Sequence, residues 1–444
     1  MEPLSSLPYK GTRDYYPEDK RVQNYIFAKW RKVVEGYGYE EYGAPMIEQL
    51  EVYAAKSGQE IANEQTYSFT DRGGRIVAIR PEMTPSISRM VAARRQQLAY
   101  PARLYSIANF MRYERPQRGR EREFWQLNVD LFGLEGSQAD AEMIGMADAI
   151  LKAFGSKADD YTIKINSRNL VNFMMVQYLG LDSIQTQQMI RLLDRKDKIT
   201  ASDFDEQAQS IFGELAEGEG LERLRGIIEA TSIGQLPREI RDSSAFDEVH
   251  NLFEALTKQG TDSVVFDIAL MRGLDYYTGI VFEVFDTHPD NNRSLFGGGR
   301  YDGLVGLFGA EPISAIGMAP GGTTFEQFLQ VHDLLPKLHS TTDIYIVVLS
   351  DDARKGAATL ARNLREDGVN VEFDFTGRKI DKQIKTAVKK AIPYLVFVGD
   401  QEIKNEIYTI KDTASTEEQT MSAARIVSFV KDRRRNDTTD DDLI

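Results

Sequence analysis

Apolar residues recur at helical intervals over residues 19–36 (DKRVQNYIFAKWRKVVEG), and Gly36 supplies a C-terminal stop. The period then changes. TYSFTDRGGRIVAIRP alternates on either side of Gly73–Gly74 and predicts a hairpin, followed by a helix that Thr84 caps with Pro85 at its first position. The stretch from Leu104 to Gly133 predicts two strands: LYSIANFMRYE is rich in β-branched and aromatic residues, and EFWQLNVDLFG alternates apolar with polar. A long charged loop joins them. YTIKINSRNLVNFMMVQYLG predicts a strand and then a helix, and residues 183–244 read as polar, amphipathic helices without a catalytic constellation. SVVFDIALMRGLDYYTGIVFEVFDT predicts two strands about Arg272–Gly273. The three glycines Gly297, Gly298 and Gly299 in SLFGGGRYDGLVGLFG suit either a close backbone approach to a ligand or a tight turn. SAIGMAPGGTTFEQFLQVHDLLP predicts a short glycine-rich strand or turn and a helix.

After a linker at 335–342, strands and helices alternate through residue 435, which predicts a small α/β domain with a mostly parallel sheet. The acidic tail NDTTDDDLI, residues 436–444, is expected to be disordered.

At 444 residues the chain has room for two or three domains and a sizeable core. Zero cysteines exclude disulfides, cysteine nucleophiles and cysteine-held zinc or iron–sulfur sites. The four histidines form no HExxH-like cluster, so no transition-metal site is expected. No apolar run is long enough to span a bilayer, and MEPLSSLPYKG lacks a basic region followed by an apolar one; the expectation is a cytoplasmic protein without membrane attachment. A net charge of −14 argues against indiscriminate nucleic-acid binding but leaves room for RNA held by local basic patches. No GxxxxGK[ST] occurs, which excludes a P-loop nucleotidase by pattern.

Candidate chemistry concentrates in four stretches. Residues 112–122 carry Arg112, Arg115, Arg118, Arg120 and Arg122 against Glu114 and Glu121, with Phe124 and Trp125 beside them. Guanidinium forks grip phosphate bidentately and stack on base planes, so the loop suits a nucleoside triphosphate or RNA; it equally suits a solvated hairpin. Glu82 and Thr84 follow Pro81 at a strand end, where a carboxylate and a hydroxyl can both accept from an ammonium group. RGLDYYTG puts Arg272 near Asp275, Tyr276 and Tyr277, which reads as a site or as an Arg–Asp pair among packed tyrosines. Residues 378–390 hold six basic residues against Asp381, a solvated helix face or an RNA contact.

Taken together, these motifs resemble those of the histidyl-tRNA synthetases, which are class II aminoacyl-tRNA synthetases, over nearly the whole chain. RPEMT resembles the family's RPExT, YERPQRGREREFWQ its motif 2, and RGLDYYTGIVFE and GGGRYDGLV its two histidine-specific motifs. The resemblance implies an α+β class II catalytic domain, an antiparallel sheet with helices, over residues 1–182 and 245–334. It further implies a helical insertion domain at 183–244 and an anticodon-binding α/β domain at 343–435. It implies activation of L-histidine with ATP and Mg2+, transfer to the 3′ end of tRNA(His), and a homodimer with Pro45 at its interface.

By position in these motifs, Glu82 and Thr84, with Gln126, would hold the histidine ammonium, and Met83 and Arg272 would also belong to the histidine-binding set. Asp130 and Tyr277 would bracket its imidazole, with Tyr276 and Tyr301 completing the wall. Arg112 and Arg272 would be the catalytic cations across the α-phosphate. Glu114, Arg120 and Phe124 would flank and stack the nucleotide, while Arg115 and Gln117 would meet the acceptor end of the tRNA. The family often has glutamate at the position of Asp130.

One departure stands out. Class II enzymes end motif 3 in G-x-E-R, whereas GMAPGGTTF puts Thr323 and Thr324 where Glu and Arg are expected. That favours an alternative, the catalytically inactive histidine-sensing regulatory subunit of ATP phosphoribosyltransferase. Against it stand the complete motif 2 arginine set and the C-terminal domain. A synthetase-like sensor of a kinase would need a kinase domain that the sequence lacks.

Overall fold

A computed structural model of the chain describes residues 4–54, 64–117, 119–213, 219–270, 276–291 and 293–439. It divides into two compact units: Lys29–Leu335 with the segment through Tyr15, and Pro336 onward with Tyr16–Ala28. The helix expected over 19–36 is observed as Pro17–Gly36.

The first unit contains β1 (Glu40–Glu41), β2 (Ile47–Gln49), β3 (Ser68–Thr70), β4 (Ile76–Ile79), β5 (Ala102–Met111) and β6 (Glu123–Phe132), then β7 (Tyr161–Ser167), β8 (Val264–Phe266), β9 (Ile280–Asp286), β10 (Ser294–Arg300) and β11 (Ala315–Met318). Eight of these form one sheet in the order β1-β5-β6-β11-β10-β9-β7-β8, while β2, β4 and β3 form a small sheet of their own. The large sheet is antiparallel through its centre, with parallel pairs at its two edges, β1 with β5 and β7 with β8.

Its spine is the β5–β6 hairpin, paired without interruption from Ala102 opposite Phe132 to Met111 opposite Glu123. Side chains alternate faces along a strand, so Phe124, Gln126, Asn128 and Asp130 share one face of β6. Leu127, Val129 and Leu131 share the other, where all three are buried.

The three glycines form no turn. They lie within β10, in register with β9 and β11. A methyl on Gly298 would stand 2.3 Å from the Gly317 carbonyl and 2.6 Å from the Phe282 ring, so the strand fits there only without a side chain. On the opposite face, Asp130 pairs with Gly317, Gly317 with Gly299, and Gly299 with Val281. Two neighbouring glycines in one row leave a depression in the sheet beside Asp130.

The helix after β4 begins at Thr84, but Thr84 does not cap it: Met83 occupies the cap position and no side chain bonds the exposed amides there. The polar stretch 183–244 contributes the helices Ser183–Leu193, Ala201–Phe212 and Gly220–Ile228 within the same compact unit as the sheet. Asp182 starts the first of them with a capping box closed by Gln185.

In the second unit, β12 (Ile344–Val348), β13 (Val371–Phe373), β14 (Tyr394–Val398), β15 (Ile407–Asp412) and β16 (Glu418–Ser422) form a sheet ordered β13-β12-β14-β15-β16. Only the β12–β13 and β12–β14 pairs are parallel, so the sheet is mixed rather than mostly parallel. Strand β16 escapes the sequence pattern because it is an edge: four of its five residues are exposed and polar. The basic run lies on the helix Ile380–Lys389, which turns Gln383 and Ala387 inward. The last helix spans Ala423–Thr439 and takes in residues 436–439 of the tail expected to be disordered; 440–444 lie outside the described residues.

Candidate active site

A cavity of about 390 Å³ opens on the face of the large sheet that carries Phe124, Gln126 and Asn128. The end of the β5–β6 hairpin forms one side. The strand end after β4 forms another, and Tyr276–Tyr277 with β9 and β10 close the rest.

At the hairpin end, Arg112 follows directly on β5. Its Nε donates to the Pro81 carbonyl at 2.9 Å, and its guanidinium carbon lies 5.3 Å from the centre of the Phe124 ring. One nitrogen is thereby spent on orientation. Glu114 sits between two cations, 4.0 Å from Arg112 Nη1 and accepting from Arg120 Nη1 at 3.3 Å. Arg112, Glu114, Arg120 and Phe124 all line the cavity. A cation held by its Nε over an aromatic ring suits an anion bearing a stackable base.

At the strand end after Pro81, Glu82 is buried, and its Oε2 accepts from the Tyr276 hydroxyl at 2.8 Å. Burial and the neighbouring Glu82 carboxylate hold the Tyr276 phenol well above its usual range, so it remains a donor. Thr84 and Gln126 line the same region. The Gln126 backbone bridges to Gly321, and the Gln126 amide reaches the Ala319 carbonyl at 3.5 Å. Tyr276 packs edge-on against Tyr277 and Tyr301, with ring centres 5.2 and 5.9 Å apart.

Asp130 lies behind this wall rather than in the lining. Its two carboxylate oxygens accept from Tyr301 at 2.5 Å and from Tyr42 at 3.4 Å. A methyl on Gly317 would stand 2.7 Å from Asp130 Oδ1, so the glycine leaves that oxygen next to the cavity. Burial pushes the Asp130 carboxyl up from 3.8 to about 7, against the two tyrosine hydrogen bonds, which pull it down. Between those values the folded chain keeps a proton that the unfolded chain has released. Asp130 therefore makes the folded state less stable as pH rises through that window. Asp130→Asn is expected to flatten the decline: between about pH 5 and about pH 8, the urea midpoint should fall further for the wild type than for the variant. Asp140, pushed up to about 6 by burial, contributes equally to both and cancels. Identical slopes would rule out a proton held at Asp130.

Several expected residues are not gathered at the cavity. Met83 points away from it and packs with Ala108 and Phe110, because the residue between Glu82 and Thr84 faces the opposite way. Arg115 is exposed and outside the lining, and Gln117 lines a neighbouring cavity instead. Arg118, Arg272 and Asp275 lie outside the described residues.

Other lining residues were not anticipated, among them Asn128, Glu121 and Glu283. Asn128 shares the two-residue period of Gln126, and Glu283 is the charge inside the otherwise apolar IVFEVF; both signals were legible. Tyr42 carried no such signal, since only the fold lays the segment after β1 along β5 and brings the Tyr42 hydroxyl to Asp130.

An antiparallel sheet bearing such a cleft, with an arginine-rich hairpin loop at its mouth, is the catalytic fold of the class II aminoacyl-tRNA synthetases. Here it is followed by a separate domain with its own sheet. A family model described as histidyl-tRNA synthetase matches residues 11–321, and one described as anticodon binding domain matches 343–433. The chain is 40% identical to a histidine–tRNA ligase of Leptospira biflexa over 97% of its own length and 98% of the relative's. Its fold is similar to the crystal structure of a histidyl-tRNA synthetase from Nostoc sp. PCC 7120, with a TM-score of 0.83 at 23% identity over 97% of this chain and 100% of that one. It is also similar, with a TM-score of 0.74 at 26% identity, to a Bacillus halodurans structure described as an ATP phosphoribosyltransferase regulatory subunit/histidyl-tRNA synthetase, over 89% of this chain and 99% of that one. The chain belongs to the histidyl-tRNA synthetase family.

Proposed function

We propose that the chain activates L-histidine with ATP and passes the histidyl group to the 3′ end of tRNA(His). The observation that carries this reading is one cavity lined both by a buried carboxylate, Glu82, and by the oriented cation Arg112 over Phe124. Glu82, Thr84 and Gln126 receive the ammonium group, which sets the histidine carboxylate toward Arg112. Asp130, reached past Gly317, and Tyr277 take the two ring nitrogens. A site that hydrogen-bonds both nitrogens rejects apolar analogues strongly, because they leave buried polar groups unpaired.

The histidine carboxylate attacks the α-phosphorus, a phosphorus–oxygen bond forms, and the bond to the β-phosphate breaks as pyrophosphate leaves. Negative charge spreads over the α-phosphate oxygens, and Arg112 stabilises it as it develops. Arg272 joins it by resemblance to the family motif. The 3′-terminal adenosine hydroxyl then attacks the activated carbonyl and AMP leaves, with Arg115 and Gln117 meeting the acceptor end.

Magnesium keeps most of its waters and needs only one or two carboxylates beside the phosphates. Glu121 and Glu283, both in the lining, fit that demand and would hold it, although no cluster of three ligating residues occurs among the described residues. When bound, it would neutralise charge along the polyphosphate.

A homodimer is supported by exposed apolar side chains after Pro45 and on the small sheet, namely Met46, Ile47, Phe69 and Ile76. A cytoplasmic location is consistent with the described residues, in which no helix is long and apolar enough to cross a membrane.

The test is histidine-dependent ATP–pyrophosphate exchange by the purified chain, followed by charging of tRNA(His). Exchange with histidine and with no other amino acid is expected. A folded chain that binds histidine yet gives no exchange would instead support the regulatory-subunit reading, which Thr323, Thr324 and the likeness to the Bacillus halodurans structure favour.

A further inference from the structure

The first turn of the helix Gly322–Val331 is where the family pattern sets a glutamate and an arginine, and here both positions are threonine. Neither hydroxyl is directed at a ligand. Thr323 donates to Glu121 Oε2 at 3.0 Å, while Thr324 lies 2.8 Å from the Leu295 carbonyl and 3.1 Å from that of Gly321. The helix start therefore offers a polyphosphate no cation.

The room a long side chain would fill at Thr324 joins the active-site cavity to a second one of about 650 Å³. Thr324, Arg120, Glu283, Ser294 and Leu295 line both. The second cavity has four basic side chains, Arg120, Lys164, Lys198 and Arg293, brought from four separate segments, and four carboxylates, Asp194, Asp267, Glu283 and Asp290. Lys164 is held by Asp267 at 2.7 Å, and Lys198 stands on the exposed turn of the helical stretch. Arg293 precedes β10 and lies two residues from Leu295, the residue whose carbonyl receives the Thr324 hydroxyl.

The segment after β9 is fastened as far as Asn291. Buried Asp286, at the end of β9, accepts from the His288 amide at 2.8 Å and from the Asn291 side chain at 2.7 Å, and it meets the His332 ring at 2.8 Å.

We propose that Arg293, with Arg120, holds the β- and γ-phosphates of ATP and the departing pyrophosphate. It thereby supplies, from the β9–β10 turn, the charge that related enzymes take from the helix at the position of Thr324. The proposal rests on the reading of the first cavity as the adenylate-forming site. It explains how a chain with arginine-free motif 3 retains a polyphosphate clamp: the cation stands instead just before β10, whose Leu295 carbonyl receives the Thr324 hydroxyl.

The experiment compares the wild type with Arg293→Ala, Arg293→Lys and the double variant Arg293→Ala/Thr324→Arg. Binding of ATP, of inorganic pyrophosphate and of histidine is measured by calorimetry, beside the exchange assay. Loss of a bidentate, charge-assisted contact is expected to weaken ATP and pyrophosphate binding by about tenfold to a hundredfold in Arg293→Ala. Histidine affinity should not change, which also shows that the variant is folded. Arg293→Lys should recover part of the loss, and the double variant most of it, because the arginine returns to the helix start facing the same space.

Unchanged ATP and pyrophosphate affinities in Arg293→Ala would overturn the proposal, as would a loss that histidine binding shares. A wild type that binds pyrophosphate in an Arg293-dependent way but catalyses no exchange would count against the ligase reading and leave the clamp standing.

Discussion

Arg112→Ala is expected to reduce histidine-dependent ATP–pyrophosphate exchange by about 10²–10³-fold, the size of effect seen when one preorganised donor to a developing oxyanion is removed. The expectation follows from how the side chain is spent. Its Nε is committed to the Pro81 carbonyl and its plane lies by Phe124, so its remaining nitrogens face the cavity with little freedom to reorganise. Arg112→Lys should recover little, because an ammonium group cannot both hold Pro81 and fork onto phosphate. Histidine binding, carried by Glu82, Thr84 and Gln126, should survive in both variants. Steady-state exchange with calorimetric histidine titration separates the two effects. A rate within tenfold of the wild type would remove Arg112 from the chemistry.

Glu82→Ala should act on the opposite substrate. Removing one partner of a buried, hydrogen-bonded charge pair costs about 2–5 kcal/mol, so histidine affinity should fall by roughly thirtyfold to several thousandfold while ATP affinity is retained. Tyr276→Phe should cost less, since it leaves the carboxylate present and removes only the 2.8 Å bond that orients it. The pattern to look for is a rise in the KM for histidine, largest in Glu82→Ala, without a matching rise for ATP. Equal affinity for histidine in wild type and Glu82→Ala would falsify the assignment of the ammonium site.

Much of this arrangement was legible in advance because local rules and tertiary demands agree along it. The β5–β6 hairpin alternates cleanly, and that alternation puts Phe124, Gln126 and Asn128 on one face whatever packs around them. The motif glycines were harder. Glycine is depleted in strands, so GGG suits a tight turn or a close approach to a ligand, and only the closeness of Phe282 and Gly317 explains why a strand needs it. Thr84 shows the reverse case: a residue with every attribute of a helix cap is used at the cavity instead. Met83 was swept into the site by its neighbours, although its side chain belongs to the core.

The sequence by itself determined the strands and helices that alternate with clear period, and the family. These depend on residue type and spacing along the chain. Only the tertiary structure decided that Asp130 stands behind Tyr301 and beside Tyr42, and that Thr324 is turned onto Leu295. It alone brought Arg293 and Arg120 to one cavity. Those relations join residues up to 173 positions apart in number, from Arg120 to Arg293, and arise from sheet register and burial, which no local pattern encodes.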